Sequence, residues 1–162
     1  MVQNSYSFFT SLLRTRPHAA AQVRGSASFP EIHGTVRFFG TRQGVLVAAD
    51  IHGLPRGYGE CGSRIFGFHI HSGGSCTGNG SDPFSDALTH YDSAGCPHPY
   101  HAGDMPPLFG AHGKAFSVFL TNRFTLKEIV GKTVIIHDMP DDFTTQPAGS
   151  AGTKIACGVI RG

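Results

Sequence analysis

An all-β Greek-key sandwich or barrel of about eight short antiparallel strands, with two long functional loops, is the fold this sequence predicts. Three observations carry the prediction. Glycine and proline, 22 and 10 of 162 residues, punctuate the chain at short intervals and no long amphipathic helical pattern survives between them. Thirteen Phe, with many Val and Ile, favour extended backbone. Period-two alternation of apolar and polar side chains returns several times along the chain.

The elements follow in order. Tyr6 to Leu13 is apolar, but no basic residue precedes it and Arg14 and Arg16 follow it, so it is a poor secretory signal. Residues 1–17 read as an N-terminal arm, a short helix or a frayed segment packed on the domain that spans 18–162. Ala20 to Gly25 is a first strand, and Phe29-Pro30-Glu31 is a turn. Ile32 to Phe39 alternates, with Val36 and Phe38 on one face and Arg37 and Phe39 on the other. Thr41 to Gly44 is a turn in which Gly44 supplies positive φ, and Val45 to Ile51 returns as the second arm of a hairpin. After a Gly53–Gly62 loop, Arg64 to His71 is one strand. Ser72 to Met105 has no periodicity, a length that inside a compact domain points to function. Gly113 to Leu120 is a strand, Thr125 to Val130 a helical turn, Lys132 to His137 a β-branched strand. Asp138 to Gly152 is the second long loop, and Thr153 to Ile160 closes the domain.

Composition excludes several functions. A net charge of +2 with 15% charged residues offers neither a nucleic-acid groove nor a membrane-surface patch. No apolar run approaches the roughly 18 to 20 residues that span a bilayer. With no convincing leader the reading is cytoplasmic, in a bacterium. Four cysteines, none in a C-x-x-C pair, make one or two bridges or stay reduced.

The histidines are concentrated instead. Five of ten lie between Gly67 and Asp104, and His137 ends an apolar run further on. His69 and His71, two apart on a strand, project from one face and can bind one ion without distorting the backbone. His90, His98, His101 and Asp104 make a second group, three imidazoles and a carboxylate, which suits tetrahedral zinc. Pro97, Pro99, Pro106 and Pro107 stiffen that loop. His137 completes the first group, and imidazole-only coordination with an open position suits copper. The carboxylates of the 138–142 segment can orient such histidines through their free N–H groups.

Gly67-Phe68-His69-Ile70-His71, His90, Gly103-Asp104, His137 with Asp141-Asp142, and Gly152-Thr153-Lys154-Ile155-Ala156-Cys157-Gly158-Val159-Ile160 together resemble the copper/zinc superoxide dismutase family, over about Val23 to Gly162. The resemblance implies copper at His69, His71, His90 and His137. It implies zinc at His90, His98, His101 and Asp104, with His90 shared between the metals. It makes Asp141 the carboxylate linking His69 to His98. It pairs Cys76 with Cys157, a bridge that by closing about eighty residues contributes about 4 kcal/mol in the chain-entropy model. The implied activity is disproportionation of superoxide, a small anionic substrate, with His90 and water supplying protons. The alternative is a non-catalytic copper- or zinc-binding relative. A homodimer is one implied assembly and a monomer the other. Two departures stand out. Lys154 occupies the place of the family's anion-steering arginine, keeping the charge but losing the two-pronged geometry. Only three positions separate His98 from His101, where about nine residues are usual. Cys61 and Cys96 fall outside the pattern, as a second disulfide or as two thiols.

Overall fold

A computed structural model describes residues 5–57 and 64–162. Nine strands run β1 (Ala19–Gly25), β2 (His33–Thr41), β3 (Gly44–His52), β4 (Ile65–Phe66), β5 (Phe68–His71), β6 (Leu108–Phe109), β7 (Lys114–Thr121), β8 (Thr133–His137) and β9 (Lys154–Arg161). Seven form one sheet in the order β5-β8-β9-β1-β2-β3-β7, and every pairing is antiparallel. β4 and β6 form a separate two-stranded ribbon. One helical turn, α2 (Leu126–Ile129), precedes β8, and α1 (Ser5–Leu12) precedes β1.

The hairpin of β2 and β3 forms where the alternation predicts it, and Gly44 at φ 131° makes its turn. A Cβ there would lie 2.3 Å from the Thr121 carbonyl, so the position requires glycine for space as well as for φ. Two strand expectations need correction. Arg64 to His71 is not one strand, because the chain leaves one sheet for another at Gly67, giving β4 and β5. Leu108–Phe109, outside every expected strand, pairs with β4, and two residues are too few to show a period. Among the described residues the count is therefore nine strands, two of them two residues long. The unpatterned Ser72 to Met105 stretch contains a single 3₁₀ turn, Ser85–Ala87.

Three apolar clusters follow from which face each strand buries. The main core takes the inward residues, among them Val36, Phe38, Val47, Ile51, Phe66, Phe68, Ile70, Val134 and Ile136. On the outer face of β2 and β3, Phe39, Leu46 and Ala48 are covered by Phe9, Leu12 and Leu13 of the N-terminal arm. Arg37 reinforces this by donating to the Leu13 carbonyl at 3.1 Å. On the outer face of β8 and β9, Ile135 and Cys157 are covered by Phe84, Ala87 and Cys76 from the first long loop. Cys76 and Cys157 are joined as a disulfide. Cys96 has no disulfide partner among the described residues, and a pairing with Cys61 falls outside them. Among the described residues no helix is long and apolar enough to cross a membrane.

Candidate metal centre

Phe68 and Ile70 of β5 point into the core, which turns His69 and His71 to the opposite face. The first long loop folds back over that face. Its backbone bridges the free edge of β5 at His71–His90 and His69–Asp104, and the Tyr91 N–H donates to the Ile70 carbonyl at 2.8 Å. β8 brings His137 alongside, at a register shift between Ile136 and His137 that redirects the end of the strand. β5, the first long loop and β8 thus deliver six histidines to one place.

The side chains sort into two groups that share one member. Ligand atoms of His69, His71, His90 and His137 lie within 4.8 Å of one another, and so do those of His90, His98, His101 and Asp104. His90 separates them, with Nδ1 2.7 Å from Asp104 Oδ1 and Nε2 buried without a protein partner.

Hydrogen bonds to the outer nitrogens of four rings fix which atom of each faces inward. The His69 Nε2–H donates to Asp141 Oδ2 at 2.7 Å, and the His98 Nε2–H to Asp141 Oδ1 at 2.9 Å. The His71 Nδ1–H donates to the Leu88 carbonyl at 2.9 Å, and the His137 Nδ1–H to the Gly152 carbonyl at 3.2 Å. A ring that donates from one nitrogen keeps a lone pair on the other. For His69 and His98 that other atom, Nδ1, is buried with no hydrogen-bond partner among the described residues, as is Nδ1 of His101. A buried polar atom left unpaired costs about 1–3 kcal/mol, so four such nitrogens in one place need an occupant.

The spacings fit a cation better than they fit internal hydrogen bonds. His71 Nε2 and His137 Nε2 stand 3.3 Å apart. His98 Nδ1 and His101 Nδ1 stand 3.0 and 3.3 Å from Asp104 Oδ2 without hydrogen-bond alignment. Ligands at zinc-type distances from one tetrahedral ion are separated by about 3.3 Å. The donor set of three imidazoles and one carboxylate suits zinc, and four imidazoles suit copper.

Electrostatics keeps these ligands in their binding forms. Burial is the largest influence on His69, His71 and His137 and pushes all three below the ordinary imidazole range. His137 is lowered to about 3 by burial, then by the neighbouring His69. Burial works the other way on Asp141, but hydrogen bonds from His69, the Phe143 N–H and His98 outweigh it and hold the carboxyl at about 2. Asp104 is likewise held below its ordinary range, burial being overcome by His90 and the surrounding imidazoles. His69, His71 and His137 are thus held towards the neutral form and Asp104 and Asp141 towards the ionised one, which is what coordination requires.

The short spacing between His98 and His101 is accommodated by outside support. Arg123 Nη1 donates to the Pro99 carbonyl at 2.9 Å and stands 3.4 Å from those of His101 and Asp104. Gln146 makes a reciprocal pair with the His98 backbone, receiving its N–H at 3.0 Å and donating to its carbonyl at 2.7 Å. Gly149, at φ 64°, lets the second loop pass over Asp141; a Cβ there would fall 2.0 Å from Asp141 Oδ1. Sequence reasoning missed Arg123, Gln146 and the carbonyls of Leu88 and Gly152. Backbone acceptors leave no trace in residue identity, and Arg123 lies far from the histidines in sequence.

A cavity of about 760 Å³ opens over His71, His90, His101 and His137, with Lys154 in its wall. Lys154 is not free at this mouth. Its Nζ lies 2.5 Å from Asp82 Oδ2 and donates to the Phe84 carbonyl at 3.3 Å. Asp82 was not among the residues the sequence singled out.

Comparison with known proteins agrees with this geometry. The family described as copper/zinc superoxide dismutase matches residues 32–160. "Superoxide dismutase [Cu-Zn] 2" of Aquifex aeolicus is 34% identical over 146 residues, 81% of this chain and 80% of that protein. The Photobacterium leiognathi enzyme, "Superoxide dismutase [Cu-Zn]", is 34% identical over 142 residues, 79% of this chain and 78% of its own length. Among solved structures, the Cu/Zn superoxide dismutase from Brucella abortus superposes with a TM-score of 0.73 at 25% identity, covering 88% of this chain and 99% of that one. A superoxide-dismutase-like protein from Bacillus subtilis gives 0.69 at 26% identity over 86% and 95%. With the family model matching residues 32–160 and relatives 34% identical over about four fifths of the chain, this chain belongs to the copper/zinc superoxide dismutases.

Proposed function

We propose that the protein disproportionates superoxide, two anions and two protons giving one dioxygen and one hydrogen peroxide, within the domain spanning 18–162, residues 1–17 serving as a packed arm. We assign copper to His69, His71, His90 and His137, and zinc to His90, His98, His101 and Asp104. When bound, copper supplies the one-electron couple that the reaction needs, and zinc holds charge and geometry without redox change. The observation that carries the assignment is the set of four buried imidazole nitrogens with no protein partner, three of them on rings whose position a carboxylate or its own loop fixes.

The remaining roles belong to the chain itself. His90 presents Nε2 to one group and Nδ1 to the other, so it is the ring through which a proton at Nε2 reaches the peroxide product. Asp141 ties the two groups together, so that a shift at His98 is felt at His69. The cavity admits a small anion directly above His71 and His137, and Lys154 in its wall attracts it. Burial of the histidine face excludes bulk water from every ring except at this opening.

A non-catalytic metal-binding relative is disfavoured by the complete first group, four histidines with ligand atoms within 4.8 Å. Loading the protein with copper and zinc and timing superoxide decay tests the reading. The loaded protein accelerates decay beyond an equal amount of free copper, and His137→Ala abolishes the gain while the β-sheet circular dichroism is unchanged. Wild-type protein no faster than free copper would end the enzyme reading. We also propose the homodimer, formed through the exposed outer residues of β7, Phe116, Val118 and Leu120, which continue the apolar face that α1 covers on β3. Sedimentation equilibrium reporting only monomer would remove it.

A further inference from the structure

The wall of the cavity above the histidines contains, among the described residues, a single Lys or Arg, Lys154, and its Nζ is engaged by a carboxylate. We infer that Asp82 is a positioning and specificity residue: it clamps Lys154 and sets how much of the lysine's charge an incoming anion meets. The inference rests on the superoxide reading above and deepens it.

The clamp is built, not incidental. Asp82 Oδ1 accepts the Phe84 N–H at 3.0 Å, which leaves Oδ2 directed at Lys154. The Asp82 backbone is fixed on both sides, its N–H donating to Asn79 Oδ1 at 3.0 Å and its carbonyl accepting the Asn79 N–H at 2.9 Å. The segment is anchored to β9 by the Cys76–Cys157 disulfide, three residues along the strand from Lys154. The Lys154 side chain is only 15% exposed, so its position is set by these partners and not by solvent.

An ammonium has three N–H donors. With Asp82 and the Phe84 carbonyl taking two, one remains for an anion. The carboxylate also cancels most of the lysine's field beyond the pair, so long-range attraction is weak while short-range docking keeps a defined direction. This explains how lysine can stand where a guanidinium is usual: the fork geometry that lysine lacks is replaced by a fixed attachment. Removing the carboxylate while keeping its shape should therefore increase anion attraction and make it more sensitive to salt.

The test is an azide titration of the copper- and zinc-loaded protein, followed by its visible absorption, for wild type, Asp82→Asn, Asp82→Glu, Lys154→Gln and the Asp82→Asn/Lys154→Gln double variant. Asparagine keeps the acceptor for the Phe84 N–H, so the loop stays in place. Asp82→Asn is expected to tighten azide about threefold to tenfold at low salt, the size of one unscreened charge nearby, with a steeper loss as salt is added. Asp82→Glu stays near wild type, and in the Lys154→Gln background the asparagine change has a much smaller effect, because Asp82 acts through the lysine. Equal azide affinity in wild type and Asp82→Asn, or the same change with and without Lys154, overturns the inference and leaves the superoxide reading standing. Protein that takes up no copper at all would sink both.

Discussion

Four histidines of the centre, His69, His71, His98 and His137, are each held by one nitrogen and offer the other. Asp141 does this for two rings at once, through separate oxygens 2.7 and 2.9 Å from His69 and His98. It is a carboxylate held at about 2 with almost no exposure, so it accepts from both rings at any physiological pH. Removing such an orienting group typically weakens metal affinity 10- to 100-fold. Asp141→Ala should therefore weaken both zinc and copper binding by about that factor, measured by competition with a chelator of known affinity. A loss confined to one metal would mean the bridge does not couple the two groups. Lys154 teaches the opposite lesson about single residues. Its identity and place in the sequence predict a free cation, and only the fold reveals Asp82 against it.

At the scale of elements, the strands were legible because each obeys a period that residue identity displays. β7 alternates cleanly and β2 in part, β3 shows as a continuous apolar run, and their observed limits differ from the expected ones by a residue or two. β6 escaped because a two-residue strand has no period, and the split of the expected Arg64–His71 strand into β4 and β5 escaped because it depends on where the chain crosses between sheets. The loops were legible in content but not in shape. The pairing of His69 with His71 and the grouping of His90, His98, His101 and Asp104 could be read from spacing, and the sharing of His90 only from the family resemblance, whereas the supports of the short His98–His101 turn, Arg123 and Gln146, come from remote segments and carry no local signal. The disulfide holds the first of these loops against β9 across a sequence separation of 81. Replacing Cys76 and Cys157 by serine should lower the unfolding free energy by about 4 kcal/mol, read from urea denaturation of the metal-free protein. A loss below about 1 kcal/mol would mean that Phe84 and Ala87 pin the loop without it.

For the whole molecule, the metal-free state stores a cost that acid reveals. His69, His71 and His137 have folded pKa values below the 6.5 of an exposed imidazole, with His137 lowered to about 3, so the unfolded chain binds protons that the folded one rejects. Asp141 acts in the same direction, from 3.8 to about 2. Stability is thus fully present above about pH 6.5 and is lost progressively as pH falls towards 3, the carboxylate contribution going last. Thermal melting of metal-free protein should show a falling Tm from pH 7 to pH 4, and a flat Tm over that interval would mean the histidines protonate without unfolding the site. Fold and centre are coupled in this way because the same strands bury the core on one face and the imidazoles on the other. The central claim is that two metal sites meet at one histidine. X-ray diffraction from crystals of the loaded protein, with anomalous maps at the copper and zinc absorption edges, tests it most directly. The account predicts copper facing His90 Nε2 among His69, His71 and His137, and zinc facing His90 Nδ1 among His98, His101 and Asp104. A single peak, or both metals on the same side of His90, would contradict it.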